Sequence, residues 1–318
     1  MDKPVVVLKK SRDFSDVINA TFAFISQEFK SYGRVFLYYA GIPILLSAIA
    51  GAFFSGTEIT RVFSNMDGIN DSMDVLGASY FVKLGILFLL SIVVYVFISG
   101  LTASYLQLYS EKGRSGFEAN DVWQSFITHL WRLVGFYLLF FIGFIFIGGV
   151  LGIVISSFSL AGSGGVGAFI IIFLSMLLFF VFLIYASVPL SMGYLVIYSE
   201  DRSLGGLFKR VFELVKGHWW QSFGVIFVLS LIYSIISSLF SIPVFISSVM
   251  QGFLTASGGD PIGSDSLTVT MIVGSLIGTL GQFIMYPIIL VGIGVQYFNL
   301  REQKDNEGLL EKVSEMAE

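Results

Sequence analysis

Residues 133–199 read LVGFYLLFFIGFIFIGGVLGIVISSFSLAGSGGVGAFIIIFLSMLLFFVFLIYASVPLSMGYLVIYS and contain no Asp, Glu, Lys, Arg or His. A helix of about 20 apolar residues crosses the hydrocarbon layer of a bilayer, so this stretch is too long for one span. Its centre, SLAGSGGVG at residues 159–167, is rich in glycine and serine, which end helices. The stretch therefore predicts a hairpin of two spans, Leu133–Phe158 and Ala168–Tyr198.

Four more uncharged runs of sufficient length flank this hairpin, two on each side. Because a charge at mid-bilayer is costly, the ionisable residues at their ends mark the limits of further spans. The predicted first, second, fifth and sixth spans are Val35–Phe54, Leu84–Leu108, Ser222–Val249 and Leu267–Tyr297. The predicted fold class is all-α, a polytopic membrane protein with six transmembrane helices.

Composition supports this class. Of the 318 residues, 55% are hydrophobic and only 13% are charged, whereas a soluble domain carries about 25% charged residues. The net charge of −4 gives no basic field for nucleic acid, so we expect no nucleic-acid partner. The absence of cysteine excludes disulfides, thiolate metal sites and cysteine nucleophiles.

The distribution of basic residues predicts the orientation. Of the 18 Lys and Arg residues, all except Arg61 and Lys83 fall on one side of the predicted spans. Basic residues accumulate in cytoplasmic segments, so both termini are predicted to be cytoplasmic. The N-terminal residues lack an apolar core with a cleavage site, and the first span is predicted to be a retained anchor.

The sequence also predicts three parallel repeats of one unit, an amphipathic interfacial helix followed by a hairpin of two spans. The predicted repeats cover residues 13–113, 118–202 and 203–303, and residues 304–318 form a charged cytoplasmic tail within this single membrane domain. Apolar residues recur at helical spacing before each pair of spans, and each pair closes on a tyrosine followed by charge. An even number of spans per unit makes the copies parallel.

Basic and aromatic residues of the amphipathic segments predict contact with the membrane surface. Lysine, arginine and tryptophan suit this position because they combine an apolar body with a polar or charged tip. The predicted membrane-interface residues are Trp123, Trp131, Lys209, Arg210, Lys216, Trp219 and Trp220.

No Asp, Glu, Lys, Arg or His lies inside any predicted span, and this absence argues against proton-coupled transport and intramembrane hydrolysis. The neutral polar residues Tyr95, Tyr185, Gln282 and Tyr286 remain as candidates for intramembrane contacts. For Gln282 we favour a hydrogen bond to a neighbouring helix over a ligand contact. Glycines such as 148, 149, 152, 274 and 278 either permit close helix contacts or reflect ordinary membrane composition.

We expect no cofactor, no metal and no catalytic residue. The two histidines, His129 and His218, lie in different predicted repeats without the further ligands that a metal site needs. Asp67, Asp71 and Asp74 could hold calcium, but their spacing departs from an EF-hand. A solvated acidic loop is the favoured interpretation.

One segment carries a resemblance. Residues 203–224 read SLGGLFKRVFELVKGHWWQSFG. This segment resembles the non-catalytic membrane domain attached to some glycerophosphoryl diester phosphodiesterases, and related uncharacterised bacterial multi-pass membrane proteins. In that domain an interfacial helix ending in Lys-Gly-x-Trp or Lys-Gly-x-Phe leads into a span. The chain lacks the soluble phosphodiesterase domain, so the resemblance implies a bacterial inner-membrane protein without that activity.

The leading functional hypothesis is a non-enzymatic membrane protein that organises or assists partner membrane proteins. Its expected partners are membrane lipid and either another protein or further copies of this chain. A second hypothesis is a transporter, channel or lipid-handling protein for an uncharged or hydrophobic substrate. The third, an intramembrane enzyme, finds least support because the spans contain no general acid or base.

Overall fold

The computed structural model describes residues 5–64, 78–160, 166–200, 202–256 and 264–306. This part of the chain folds into helices, without a strand among its residues. In chain order the helices are α1 (Phe14–Ser64), α2 (Ala78–Lys112), α3 (Ala119–Leu160), α4 (Val166–Leu190), α5 (Gly193–Ser199), α6 (Leu204–Val215), α7 (Trp219–Ala256), α8 (Ser264–Met285) and α9 (Pro287–Asp305).

Six helical stretches of the described chain are long and apolar enough to cross a membrane, and this confirms the predicted six-span class. The hairpin predicted from the uncharged run corresponds to α3, which ends at Leu160, and α4, which begins at Val166. The helices extend past the predicted span limits, most clearly at the start of α1 and of α3. The six stretches are Phe14–Phe54, Ser79–Lys112, Ala119–Ile153, Phe169–Ser199, Trp219–Met250 and Val269–Asp305.

Two of these stretches are interrupted close to a proline. A turn at Ser191 and Met192 separates α4 from α5, just after Pro189. A second break at Tyr286 separates α8 from α9, which begins at Pro287. Proline has no backbone N–H and its ring crowds the preceding turn, which accounts for the break just before Pro287. This effect does not explain the turn after Pro189, and α1 and α7 continue through Pro43 and Pro243.

The amphipathic segments do not share one geometry. The third is a separate helix, α6, whose N-terminus is capped by Ser203 and which ends before Gly217 at φ +88°. The first two run without a break into α1 and α3. Among the described segments only the third amphipathic segment is a helix apart from its span, because a left-handed glycine separates the two there. The threefold relationship itself stays a prediction.

The chain divides into two compact units. Unit 1 comprises Met1–Ala20, Ala103–Ile226 and Ile293–Glu318, and unit 2 comprises Thr21–Thr102 and Phe227–Gly292. In unit 2, α1 and α2 are joined by a hydrogen bond between the Tyr32 and Thr102 hydroxyls at 2.7 Å. In unit 1, α3, α4, α5 and α6 pack against one another.

Candidate functional sites

Four neutral polar residues lie near the middle of spans in unit 2. Tyr95 is 12 residues after Lys83 and 16 before Glu111, so it lies near the centre of the second span. Tyr233 lies near the centre of the stretch Trp219–Met250. Gln282 and Tyr286 lie in the same part of the sixth span. These positions place all four at hydrocarbon depth.

The structure brings these residues together in what we call the tyrosine cluster: Tyr95, Tyr233, Gln282 and Tyr286. The Tyr95 ring lies 5.2 Å from that of Tyr286, and the Tyr233 ring lies 5.8 Å from Tyr286, both edge to face. The Tyr233 hydroxyl donates to the backbone carbonyl of Gln282 at 3.3 Å. Three of the four predicted intramembrane residues therefore meet in one place, with Tyr233 as an unpredicted fourth member.

Gln282 forms the predicted hydrogen bond to a neighbouring helix through its backbone and not through its side chain. Its carbonyl oxygen accepts the hydrogen bond, whereas its side-chain amide is exposed on the surface. Tyr95 is also 39% exposed, and its ring packs against buried Phe283 at 5.9 Å. The cluster therefore packs on the buried ring of Phe283 and exposes polar groups at its surface.

Tyr185 does not join the tyrosine cluster. It lies on α4 in unit 1, where its ring stacks on Trp219 at 5.8 Å and its carbonyl accepts a hydrogen bond from Trp219 Nε1 at 3.1 Å. Trp219 also stacks on Phe223 at 5.2 Å. Tyr185 thus helps to hold the beginning of α7 against α4.

The predicted interface tryptophans differ in exposure. Trp131 and Trp220 are 81% and 78% exposed, as a tryptophan at a lipid headgroup layer would be. Trp123 is half-buried against Phe126, with ring centroids 5.4 Å apart. Lys209 is 80% exposed, and Lys216 is exposed at the end of α6.

Arg210 is turned into unit 1 rather than toward the surface. Its side chain is only 11% exposed and donates from Nε to Glu200 at 2.9 Å and from Nη2 to Asp305. The Tyr297 hydroxyl donates to Glu200 at 3.1 Å. Burial lowers the pKa of Arg210, but hydrogen bonds to Asp305 and Glu200 outweigh it and leave the pKa above its ordinary value. We call Glu200, Arg210, Asp305 and Tyr297 the ion-pair cluster.

A chain of buried amides ties the N-terminal segment to α9 and α7. The Arg12 backbone N–H donates to the Asn299 side-chain oxygen at 2.7 Å, and Asn299 Nδ2 donates to Gln296 Oε1 at 3.1 Å. Gln296 Nε2 donates to Ser222 Oγ at 3.0 Å. The Arg12 guanidinium donates to the carbonyls of Val7, Leu8 and Lys10, and burial lowers its pKa against the opposing effect of Asp16. Both ends of the described chain are thereby joined.

Beside this chain of amides lies a polar surface cavity of about 600 Å³. Its walls come from the N-terminal segment, the start of α7 and the end of α9. They are formed by Ser11, Arg12, Asp13, His218, Gln221, Glu302, Gln303 and Asn306. The aspartates at 67, 71 and 74, proposed above as an alternative calcium site, lie outside the described residues.

The two spans of the α3–α4 hairpin are almost entirely exposed, and we refer to them as the bare hairpin. Only 6% of the most apolar 18-residue stretch of each of its spans is buried, against 39% and 44% for the first and sixth spans. A Cβ added at Gly148, Gly149 or Gly152 would meet no atom within 4 Å. The glycines of α8 differ, because a Cβ at Gly274 would lie 3.1 Å from Val244 on α7.

Comparison with protein-family models, with curated proteins and with solved structures finds no match to this chain. The resemblance over residues 203–224 therefore stays a prediction.

Proposed function

We propose that this integral membrane protein is not an enzyme, and that it binds and organises partner membrane proteins through its α3–α4 hairpin. We also propose that it resides in a bacterial inner membrane with both termini in the cytoplasm. The observation that carries the proposed function is the bare hairpin, whose Gly148, Gly149 and Gly152 face open space.

Association of helices in a bilayer depends on close van der Waals packing, since lipid tails are as apolar as the helices themselves. Small residues allow two backbones to approach, and α8 uses Gly274 and Gly278 in this way against α7. On α3 the corresponding small residues, Gly148 and Gly152, are spaced by four and have no neighbour. Such a face allows a helix of a partner protein to pack closely against α3.

The hairpin is held by neighbouring residues at its base, the start of α3 and the end of the fourth span. At this base Tyr198 on α5 donates from its hydroxyl to the Phe126 carbonyl at 3.4 Å, and the rings of Phe136 and Phe208 lie 5.8 Å apart. The ion-pair cluster ties Glu200, which follows α5, to α6 and α9. A hairpin held at one end presents its apolar faces in a defined direction, which reduces the entropy lost on binding a partner.

The proposal is tested by substituting Gly148 and Gly152 together with leucine, which would obstruct a close helix contact. Gly85→Leu is the matched control, because Gly85 on α2 is exposed and likewise has no neighbour within 4 Å. Proteins recovered with each variant after cross-linking in membranes are identified by mass spectrometry, and two differently tagged copies of the chain reveal self-association.

We expect at least one cross-linked membrane protein, or the second copy, to be lost from the double variant and retained by the control. Recovery of the same proteins with both variants, or of an uncrosslinked monomer alone from the wild-type chain, would contradict the proposal.

A further inference from the structure

Gln282 presents a primary amide to the membrane at mid-span. The residue lies 17 positions after Asp265 and 19 before Arg301, so it is near the middle of the sixth span. Its side chain is exposed and has no hydrogen-bond partner among the described residues. An amide in contact with hydrocarbon and without a partner is unfavourable. Some polar group must therefore cover it in the membrane.

A second polar group lies in the same cluster. The Tyr95 hydroxyl has no hydrogen bond to the described residues, and the residue is 39% exposed. Its ring contacts Phe283 and Tyr286 edge to face. The Tyr233 hydroxyl fixes the Gln282 backbone from a third helix. Two polar groups that make no hydrogen bond to the described residues thus lie beside these aromatic rings.

The helix break beside the cluster leaves the backbone carbonyl of Phe283 as a further hydrogen-bond acceptor. Pro287 has no N–H, so it cannot donate to the carbonyl of Phe283, four residues earlier. The Tyr286 carbonyl, by contrast, accepts from the N–H groups of Ile289 and Leu290, at 3.0 and 3.4 Å. Interrupted helices with such freed carbonyls commonly form binding sites in membrane proteins.

We propose that the tyrosine cluster binds a neutral lipid by forming hydrogen bonds with the hydroxyl group of that lipid. Independent of the partner association proposed above, this is a separate site on unit 2. The amide of Gln282 offers both N–H donors and an oxygen acceptor, and the Tyr95 hydroxyl also both donates and accepts. A lipid hydroxyl can satisfy both kinds of group, whereas an ester or ketone carbonyl satisfies donors only.

The depth of the site excludes charged lipids. Phospholipid headgroups lie at the edge of the hydrocarbon layer, about 15 Å from its centre, given a layer about 30 Å thick. No basic side chain belongs to the cluster, so nothing there would compensate the charge of a phosphate. The chemical class that fits is a diacylglycerol or a long-chain or isoprenoid alcohol.

The test uses the full-length protein in phosphatidylcholine nanodiscs, with dioleoylglycerol as the probe. Its methyl ether, which lacks the hydroxyl hydrogen, and a C20 isoprenoid alcohol are added in parallel series. Retention of each lipid is measured by native mass spectrometry for the wild type and for Gln282→Leu and Tyr95→Phe. Tyr185→Phe is the control, because Tyr185 is an exposed membrane tyrosine outside the cluster.

We expect Gln282→Leu and Tyr95→Phe each to weaken retention of dioleoylglycerol by about threefold to tenfold, as for the loss of one hydrogen bond. The control should match the wild type, and the methyl ether should bind the wild type as weakly as the variants bind dioleoylglycerol. Stronger retention of the isoprenoid alcohol would identify the source of the hydroxyl. Equal retention of ether and alcohol, or of dioleoylglycerol by all variants, would overturn the proposal. So would a cross-link from residue 282 to a partner protein in place of lipid.

Discussion

The backbone N–H of Arg12 donates to the side-chain oxygen of Asn299 at 2.7 Å, across 287 positions of sequence. Asn299 is fully buried and also bonds Gln296, so it couples the N-terminal segment to the interior of unit 1. Asn299 therefore joins the two described ends of the chain, together with the hydrogen bond of Gln303 to Ser11, and Gln221 also donates to Arg12.

Asn299→Leu should release the N-terminal segment. The substitution removes the acceptor for Arg12 and leaves Gln296 without its donor, at a cost of about 1–3 kcal/mol for buried polar groups left unpaired. We expect faster hydrogen exchange in residues 5–12 and a lower melting temperature in detergent. Gln124→Leu, at an exposed position on α3, is the control. Unchanged exchange in residues 5–12 would show that Asn299 does not hold this segment.

The ion-pair cluster predicts that substitution of two adjacent basic residues changes stability by very different amounts. Arg210→Met should destabilise the protein by about 3 kcal/mol, because it removes the Arg210 cation from the partly buried Asp305 carboxylate and leaves Glu200 paired with Arg202 alone. Lys209→Met should change stability by less than about 0.5 kcal/mol, because Lys209 is 80% exposed and lies 3.8 Å from Glu213. Thermal unfolding in detergent measures both. Restoration of stability in Arg210→Met by adding Glu200→Gln and Asp305→Asn would confirm the cause.

The same cluster predicts a flat pH dependence on the alkaline side. A group whose pKa is raised on folding stabilises the folded state fully below its unfolded pKa, and this contribution is lost only as pH rises through the folded value. The ordinary pKa of arginine is already far above pH 10, and that of Arg210 is raised further. The stability difference between wild type and Arg210→Met should therefore stay constant from pH 7 to pH 10. A difference that shrinks over this range would contradict the assignment.

Glycine-to-alanine substitutions should separate the covered helix face from the bare one. A Cβ at Gly281 on α8 would overlap the Phe240 side chain close to its own backbone, so that side chain cannot easily move away. Gly281→Ala should destabilise the protein by about 1–3 kcal/mol. Gly149→Ala meets nothing within 4 Å and should stabilise α3 by up to about 1 kcal/mol through helix propensity. Melting temperatures that shift in the same direction would contradict this difference in packing.

Charge and length alone predict the six spans, because the bilayer penalises each charge strongly enough to override local preferences. The partners of individual side chains are not predictable in this way. Arg210 and Lys209 are adjacent and chemically similar, yet only the folded chain places Glu200 and Asp305 around Arg210. Helical periodicity likewise cannot show that Gly217 takes a left-handed conformation and ends α6. Such contacts depend on tertiary packing, which residue pattern does not encode locally.

The cysteine-free sequence allows the predicted orientation to be tested without removing any native residue. Single cysteines at Ser11 and Asn306 lie on the predicted cytoplasmic side, and single cysteines at Ser72, Ser163 and Ser257 lie in the predicted outer loops. An impermeant maleimide should label the last three in intact cells and the first two only after lysis, because 16 of the 18 basic residues fall on the side of Ser11 and Asn306. A membrane-permeant maleimide applied to all five shows that each thiol is reactive. Labelling of Ser163→Cys only after lysis, with Ser72→Cys labelled before it, would contradict the six-span order itself. Reversal of all five would contradict only the orientation, because the number of spans would be unchanged.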